Sequence, residues 1–435
     1  MKRRRDQSTS STEKGHPADR NEDENELTFL EYYAGIGGWR MALHQALDRM
    51  KEKNSHINTR CVAALDHSDL CVNVYQHNFP KDSQSVRTTA IEKITLKQLS
   101  TILKASMWFA SPPCQPHTRQ HTNQAQERQD PRSQSFQHMI DLLEKLEEGH
   151  LPRIIALENV VGFEVSESCQ LFRDVLHKRS YRIAEFINLS PTQVLLPNDR
   201  PRYFCVAIRI FPDQVLALNS QQSLLLTKYF SHDSKGSCDD TSRFHASIPE
   251  FDVTEENTTI SSDGGTLMPS LKDFLDSTTN ISPESSFDLN IPNKILERTS
   301  AWCFDIVTPS STRTACFTSG YGRFIRGTGS ILYTGDLPSE NNTLVLAKPE
   351  DRSFDDNEWL SKLEPQKLRY FSGLEMSRLF GFDDNFSFPS NCTLKQQWKL
   401  VGNSLNSRLA ARLIELALNI MQPHLLESNT NNESN

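Results

Sequence analysis

The chain has 435 residues, 37% of them hydrophobic and 23% charged, enough to bury one large α/β core with a smaller unit appended. Its formal net charge of −8 comes from one segment: residues 231–290 carry twelve Asp/Glu against three Lys/Arg, which leaves a balance of +1 elsewhere and excludes a strongly basic nucleic-acid groove. No run of 18 apolar residues occurs and the first 26 residues are polar, so neither a membrane span nor a secretory leader is expected, and the protein is expected in the cytoplasm, the nucleus or both.

Residues 1–26 read as a disordered tail, in which Lys2–Arg5 (KRRR) is either a solvated charge run or a nuclear import signal. The first element follows: TFLEYYAGIGGWRMALHQALDRM, from Thr28 to Met50, passes from an apolar run through Gly35, Gly37 and Gly38. It then sets Trp39, Ala42, Leu43, Ala46 and Leu47 at helical spacing. Strand, glycine turn and amphipathic helix are predicted, with the turn able to bring backbone close to a nucleotide-like ligand. RCVAALD (60–66) is a second strand ending on Asp66, where an acid can accept ribose hydroxyls; a plain surface aspartate is the other reading.

MWFAS (107–111) is a third strand, and it leads into SPPCQPHTR. Pro112, Pro113 and Pro116 fix φ and remove backbone donors around one thiol, Cys114, so the loop is stiff and the thiol is aimed. Nine cysteines without a C-x-x-C pair argue against a disulfide framework and against a zinc site, so no metal is expected. A helix is predicted within 136–148, then strands RIIALE (153–158), ending on Glu158, and YFCVAIRI (203–210). This alternation predicts a doubly wound parallel sheet with Cys114, Glu158 and the glycine turn on one rim. Residues 231–266, rich in Ser, Thr, Asp and Glu, read as a disordered acidic insertion.

The motifs YAGIGG, SPPCQPHTR, ENVVGFE, RPRYF and GNSLN, in this order from residue 28 to about 420, resemble those of the cytosine-5 methyltransferase family. TACFTSGYGRFIRGTGSIL (314–332) resembles the signature of the branch that methylates aspartate transfer RNA. The resemblance implies an S-adenosylmethionine-dependent, Rossmann-like α/β fold: a catalytic domain over 27–210 and a target-recognition domain over 211–370 that holds the insertion. A segment over 371–424 would return to the catalytic domain, ahead of a disordered tail at 425–435. It makes Cys114 the nucleophile that adds to carbon 6 of cytosine and Glu158 the group that hydrogen-bonds ring nitrogen 3. Arg200 and Arg202 would meet the target's carbonyl oxygen or phosphate.

For the cofactor the resemblance implies Ile36, Gly37 and Gly38, Asp66, Ile91 and Glu92, Ser111, and Asn403 with Ser404; for the nucleic acid, Cys316, Phe317, Thr318 and Arg326. His117 stands where the family commonly has Phe, and Asn198 where it often has Gln. The expected partner is transfer RNA, aspartate transfer RNA foremost, with DNA weakly used and no membrane. Two other readings compete: a DNA cytosine-5 methyltransferase, and a catalytically silent nucleic-acid reader. Intact Cys114 and Glu158 argue against the last.

Overall fold

The computed structural model describes residues 26–51, 57–113, 131–230, 243–249, 267–276, 287–336, 348–351 and 363–425. Lys2–Arg5, Cys114 and most of the acidic segment (231–242 and 250–266) lie outside the described residues, as do residues 426–435. The described part of the large lobe is built on strands β1 (Glu26–Tyr32), β2 (Asn58–Asp66), β3 (Val86–Thr88), β4 (Met107–Ala110), β5 (Ile154–Val160), β6 (Arg182–Leu189), β7 (Arg202–Ile208) and β8 (Phe244–His245). Their order in the sheet is β3-β2-β1-β4-β5-β7-β6-β8. β1 and β4 run parallel, but the order of succession across the sheet switches sides between them, the place where an open α/β sheet leaves a crevice at its carboxyl rim.

The helices are α1 (Gly38–Lys51), α2 (Asp69–Asn78), α3 (Leu96–Leu99), α4 (Pro131–Lys145), α5 (Glu167–Lys178), α6 (Pro212–Leu216), α7 (Ser220–Tyr229), α8 (Asn293–Leu296), α9 (Gly373–Leu379), α10 (Leu394–Gly402) and α11 (Ser407–Leu425). Strands such as FLEY and MWFA are buried on both faces because helices cover both, Glu31 being the one charged side chain among them. On one face the α1 stripe of Trp39, Ala42, Leu43, Ala46 and Leu47 meets Leu409, Ala410, Leu413 and Leu416 of α11. On the other, Met139, Ile140 and Leu143 of α4 pack with Phe172 and Leu176 of α5. No helix among the described residues is long and apolar enough to cross a membrane.

Three features depart from the expected arrangement. β7 runs antiparallel to both β5 and β6, so the sheet is mixed. Residues 190–201 hold only a single 3₁₀ turn, too little to carry the chain back across the sheet as a parallel crossover helix would. Residues 212–245, expected in the smaller unit or its insertion, in part complete the large lobe: Leu225, Leu226 and Tyr229 of α7 join its core, and β8 pairs with β6. Within 371–424 only α11 returns to the large sheet. Met376, Leu379, Trp398 and Val401 of α9 and α10 instead pack in a third apolar cluster with β9 (Asp305–Val307), β10 (Ser330–Tyr333) and β11 (Leu368–Arg369), the three-stranded sheet of the small lobe.

Candidate active site

The turn after β1 is held by its own neighbours. Gly35 and Gly37 have φ of +54° and +88°, the left-handed region that favours glycine. A Cβ on Gly37 would come within 2.4 Å of the Phe79 ring, and one on Gly38 within 2.9 Å of Leu405 and 3.1 Å of Ser404. These two glycines therefore serve close packing, with Phe79 on one side and the α10–α11 junction on the other. Gly35 is different: a Cβ there would meet nothing nearer than 4.0 Å, so this part of the turn is open. Its N–H donates to Asp66 Oδ2 at 2.9 Å while Asp66 Oδ1 accepts the Ser68 N–H at 2.9 Å. The carboxylate that ends β2 thus pins the glycine turn and keeps lone pairs to spare.

The family resemblance implied Ile36, Ile91 and Glu92 beside the cofactor. Ile36 and Ile91 are 2% and 4% exposed, buried in two different apolar clusters, so their side chains are core groups. Glu92 is exposed. Asn403 is exposed and Ser404 half-buried, and Ser404 reaches the glycine turn at Gly38.

Trp39 ties this turn to the cysteine-bearing strand. Its ring stacks on Phe109 of β4 (centroids 5.3 Å apart, planes 9° apart) and its Nε1–H donates to Ser111 Oγ at 2.9 Å. Pro112 and Pro113 follow Ser111 and lead to Cys114. Across the rim, Asn159 donates from Nδ2 to the Pro112 carbonyl at 3.4 Å and accepts the Val160 N–H at Oδ1, bracing the entry to the cysteine loop against β5.

Glu158, the residue before Asn159, is 8% exposed, and Arg202 at the start of β7 approaches its carboxylate at 3.2 Å from Nε. Burial pushes the Glu158 carboxyl above the usual range, and the positive charges of Arg202 and Arg200 with the Ser111 hydroxyl only partly offset it. The group therefore keeps a proton to a higher pH than an exposed glutamate. That is the state needed to donate a hydrogen bond to a heterocyclic nitrogen.

Arg200 does not face this site. It is 3% exposed, its Nη1 donates to the Phe317 carbonyl at 2.7 Å, and its Nη2 donates to the carbonyls of Gly402 (3.1 Å) and Ser404 (2.7 Å). The guanidinium also lies over the Phe380 ring, 4.7 Å from its centroid. Burial, with Arg202 alongside, pulls it down to about 10, so it stays charged at neutral pH. The expectation that Arg200 meets the target together with Arg202 fails because β7 begins at Arg202; Arg200 precedes the strand and turns into the joint between the lobes.

Of the residues expected at the nucleic acid, Phe317 is corrected as well. Its side chain is fully buried, edge-on to Tyr321 and Phe371 in the small lobe. Thr318 is half-buried and its N–H donates to the Thr328 carbonyl, closing the turn that follows. Cys316 and Arg326 do reach open space. They line a cavity of about 790 Å³ between the lobes, opposite Asp199 and Pro201, and Pro201 adjoins the Arg202 that pairs with Glu158. Among the described residues no cluster of His, Cys, Asp or Glu is arranged to hold a metal ion.

A family model for C-5 cytosine-specific DNA methylases matches residues 27–418. The chain is 36% identical to a Bos taurus tRNA (cytosine(38)-C(5))-methyltransferase, a match covering 90% of this chain and 98% of that protein. A Dictyostelium discoideum protein named DNA (cytosine-5)-methyltransferase is 31% identical, with 90% of this chain and 94% of that protein covered. The crystal structure of the Schizosaccharomyces pombe Dnmt2 methyltransferase superposes with a TM-score of 0.62 at 27% identity, covering 92% of this chain and 99% of that one. Likeness of this extent takes in the glycine turn, the strand ends around Glu158 and the return of the C-terminal helix alike: the chain belongs to the C-5 cytosine methyltransferase family.

Proposed function

We propose that the protein methylates carbon 5 of an unpaired cytosine in the anticodon loop of transfer RNA, position 38 of aspartate transfer RNA foremost, with S-adenosylmethionine as the methyl donor. The observation that carries this reading is the buried Glu158, paired with Arg202 and set beside the braced Ser111–Pro113 entry to the Cys114 loop. A protonated Glu158 donates to ring nitrogen 3 of the base and draws electron density from the ring as the Cys114 thiolate adds to carbon 6. Arg202 orients that carboxyl and contributes positive charge beside the reacting ring.

The residues fit the cofactor. The Asp66 carboxylate, at the carboxyl end of β2, retains lone pairs for a diol, and the open turn at Gly35 leaves room beside it. When bound, S-adenosylmethionine supplies an electrophilic methyl group. Asp66→Asn is expected to weaken its binding by roughly tenfold or more, the worth of one charge-assisted hydrogen bond. Calorimetric titration measures this, with the melting temperature as control because Asp66 also holds Gly35 and Ser68; unchanged affinity would remove Asp66 from the site.

The relatives' names favour transfer RNA, since the Bos taurus protein covers most of this chain at the higher identity, whereas the Dictyostelium relative supports a DNA reading. The charge of the chain outside residues 231–290 also favours RNA. An anticodon loop presents its cytosine already unpaired, whereas extraction from a duplex costs a few kcal/mol and needs a stronger grip than a balance of +1 provides. The test is initial rates on an aspartate transfer RNA transcript, on the same transcript with uridine at position 38, and on duplex DNA, all at one salt concentration. Methyl transfer to the first alone is expected. Equal turnover on DNA would replace this reading with the DNA one, and no transfer to any polynucleotide would leave a silent reader.

A further inference from the structure

The turn that follows Cys316 presents one aromatic ring to solvent, and it is not the one the motif suggested. Phe317 is buried, whereas Phe324 is 58% exposed. The backbone beneath Phe324 is tightly held. Its N–H donates to the Gly320 carbonyl at 3.1 Å, and its own carbonyl accepts the Thr328 hydroxyl at 2.8 Å. One edge of the ring comes within 2.9 Å of where a Cβ on Gly320 would be, so the ring packs against this glycine. Gly322, at φ +72°, seats the turn so closely on Trp398 that a Cβ there would sit 2.2 Å from the indole. A side chain carried on a turn this constrained is presented in one place.

Its surroundings are cationic. The Arg323 guanidinium lies over the Phe324 ring, 5.0 Å from its centroid, and Arg326, two residues on, is exposed and lines the cavity whose wall also includes Pro201, the residue before Arg202. Neither arginine pairs with a carboxylate among the described residues, in contrast to Arg313 on the same cavity, which Asp305 neutralises through two hydrogen bonds. A fixed π-face with guanidinium groups beside it matches an unpaired nucleobase and its phosphate: the base stacks and the cations take the backbone.

We propose that Phe324 is a stacking platform for a nucleotide flanking the target cytosine, with Arg323 and Arg326 holding the adjoining phosphates. This rests on the RNA reading above. The platform fixes the register of the loop so that the target base enters the site. Stacking on one aromatic changes affinity by about tenfold or more on alanine substitution.

The experiment measures dissociation constants of the full chain for an aspartate transfer RNA transcript by fluorescence anisotropy, for wild type, F324A, F324L and F324W, alongside S-adenosylmethionine affinity and melting temperature. Binding is expected to weaken about tenfold or more in F324A and F324L and to be retained in F324W, with cofactor affinity and melting temperature unchanged. An abasic site placed in turn at each nucleotide flanking position 38 should, at one position only, weaken the wild type to the level of F324A and leave F324A unaffected. Wild-type RNA affinity in F324A, or F324L matching F324W, would overturn the platform. A wild type that binds the RNA but methylates none of it would sink the functional reading while the anisotropy still decides the platform.

Discussion

Replacing Cys114 with alanine is expected to lower methyl transfer by more than about a thousandfold, as removal of a covalent nucleophile does elsewhere. Carbon 5 of cytosine is too poor a nucleophile to take a methyl group directly, and addition of a thiolate at carbon 6 turns it into an enamine carbon. Neither Glu158 nor Cys316 is expected to substitute. Glu158 is engaged by Arg202, and Cys316 lines the cavity between the lobes. Binding of S-adenosylmethionine should be nearly unchanged, because Asp66 and the Gly35 turn stand apart from the thiol's task of attacking the base. Rate and cofactor affinity, measured on one preparation, separate the two effects; a variant retaining several percent of wild-type turnover would mean that the adduct is not on the reaction path.

The second large effect belongs to Arg200 and falls on stability. Arg200→Ala leaves three carbonyl acceptors, the buried ones on Phe317 and Gly402 and the partly buried one on Ser404, without their donor. At about 1 kcal/mol or more each, the loss is at least roughly 3 kcal/mol and is concentrated where the small lobe and the α10–α11 junction meet the large sheet. Arg200→Lys should not rescue, because a single ammonium cannot span carbonyls contributed by two separate segments. Denaturant titration is the check. A variant with wild-type stability and reduced catalysis would return Arg200 to the role of a target contact.

Much of the large lobe was legible because its strands are buried on both faces and so read as short apolar runs, and because the α1 stripe from Trp39 to Leu47 keeps strict helical spacing. Strand direction was not legible. YFCVAIRI has the same composition whichever way it runs, and only the lack of a helix across 190–201 sets it antiparallel. The site divides in the same way. Asp66 ends β2 and Ser111 directly follows β4, so chain position alone puts them on the rim, whereas β5 runs two residues beyond Glu158, past the strand end expected there.

The small lobe has no such grammar. Phe317 and Phe324 lie on one glycine-rich turn, and which ring is buried depends on partners distant in sequence, Phe371 and Trp398. Gly37 and Gly38 looked like a ligand cradle but fit Phe79 and Leu405, contacts that no local spacing encodes. Arg200 and Arg202 carry the alternation of a strand, yet the strand begins between them.

The covalent step is the centre of this account, and one measurement addresses it directly. An aspartate transfer RNA transcript carrying 5-fluorocytosine at position 38 replaces the carbon 5 proton with fluorine, so elimination cannot release the enzyme after methyl transfer. Intact mass spectrometry of the product formed with S-adenosylmethionine should show one protein joined to one RNA with one added methyl group, peptide mapping should locate the bond at Cys114, and Cys114→Ala should give none. Methylated, freely released RNA with no adduct, or an adduct carried by Cys316 instead, would contradict the account.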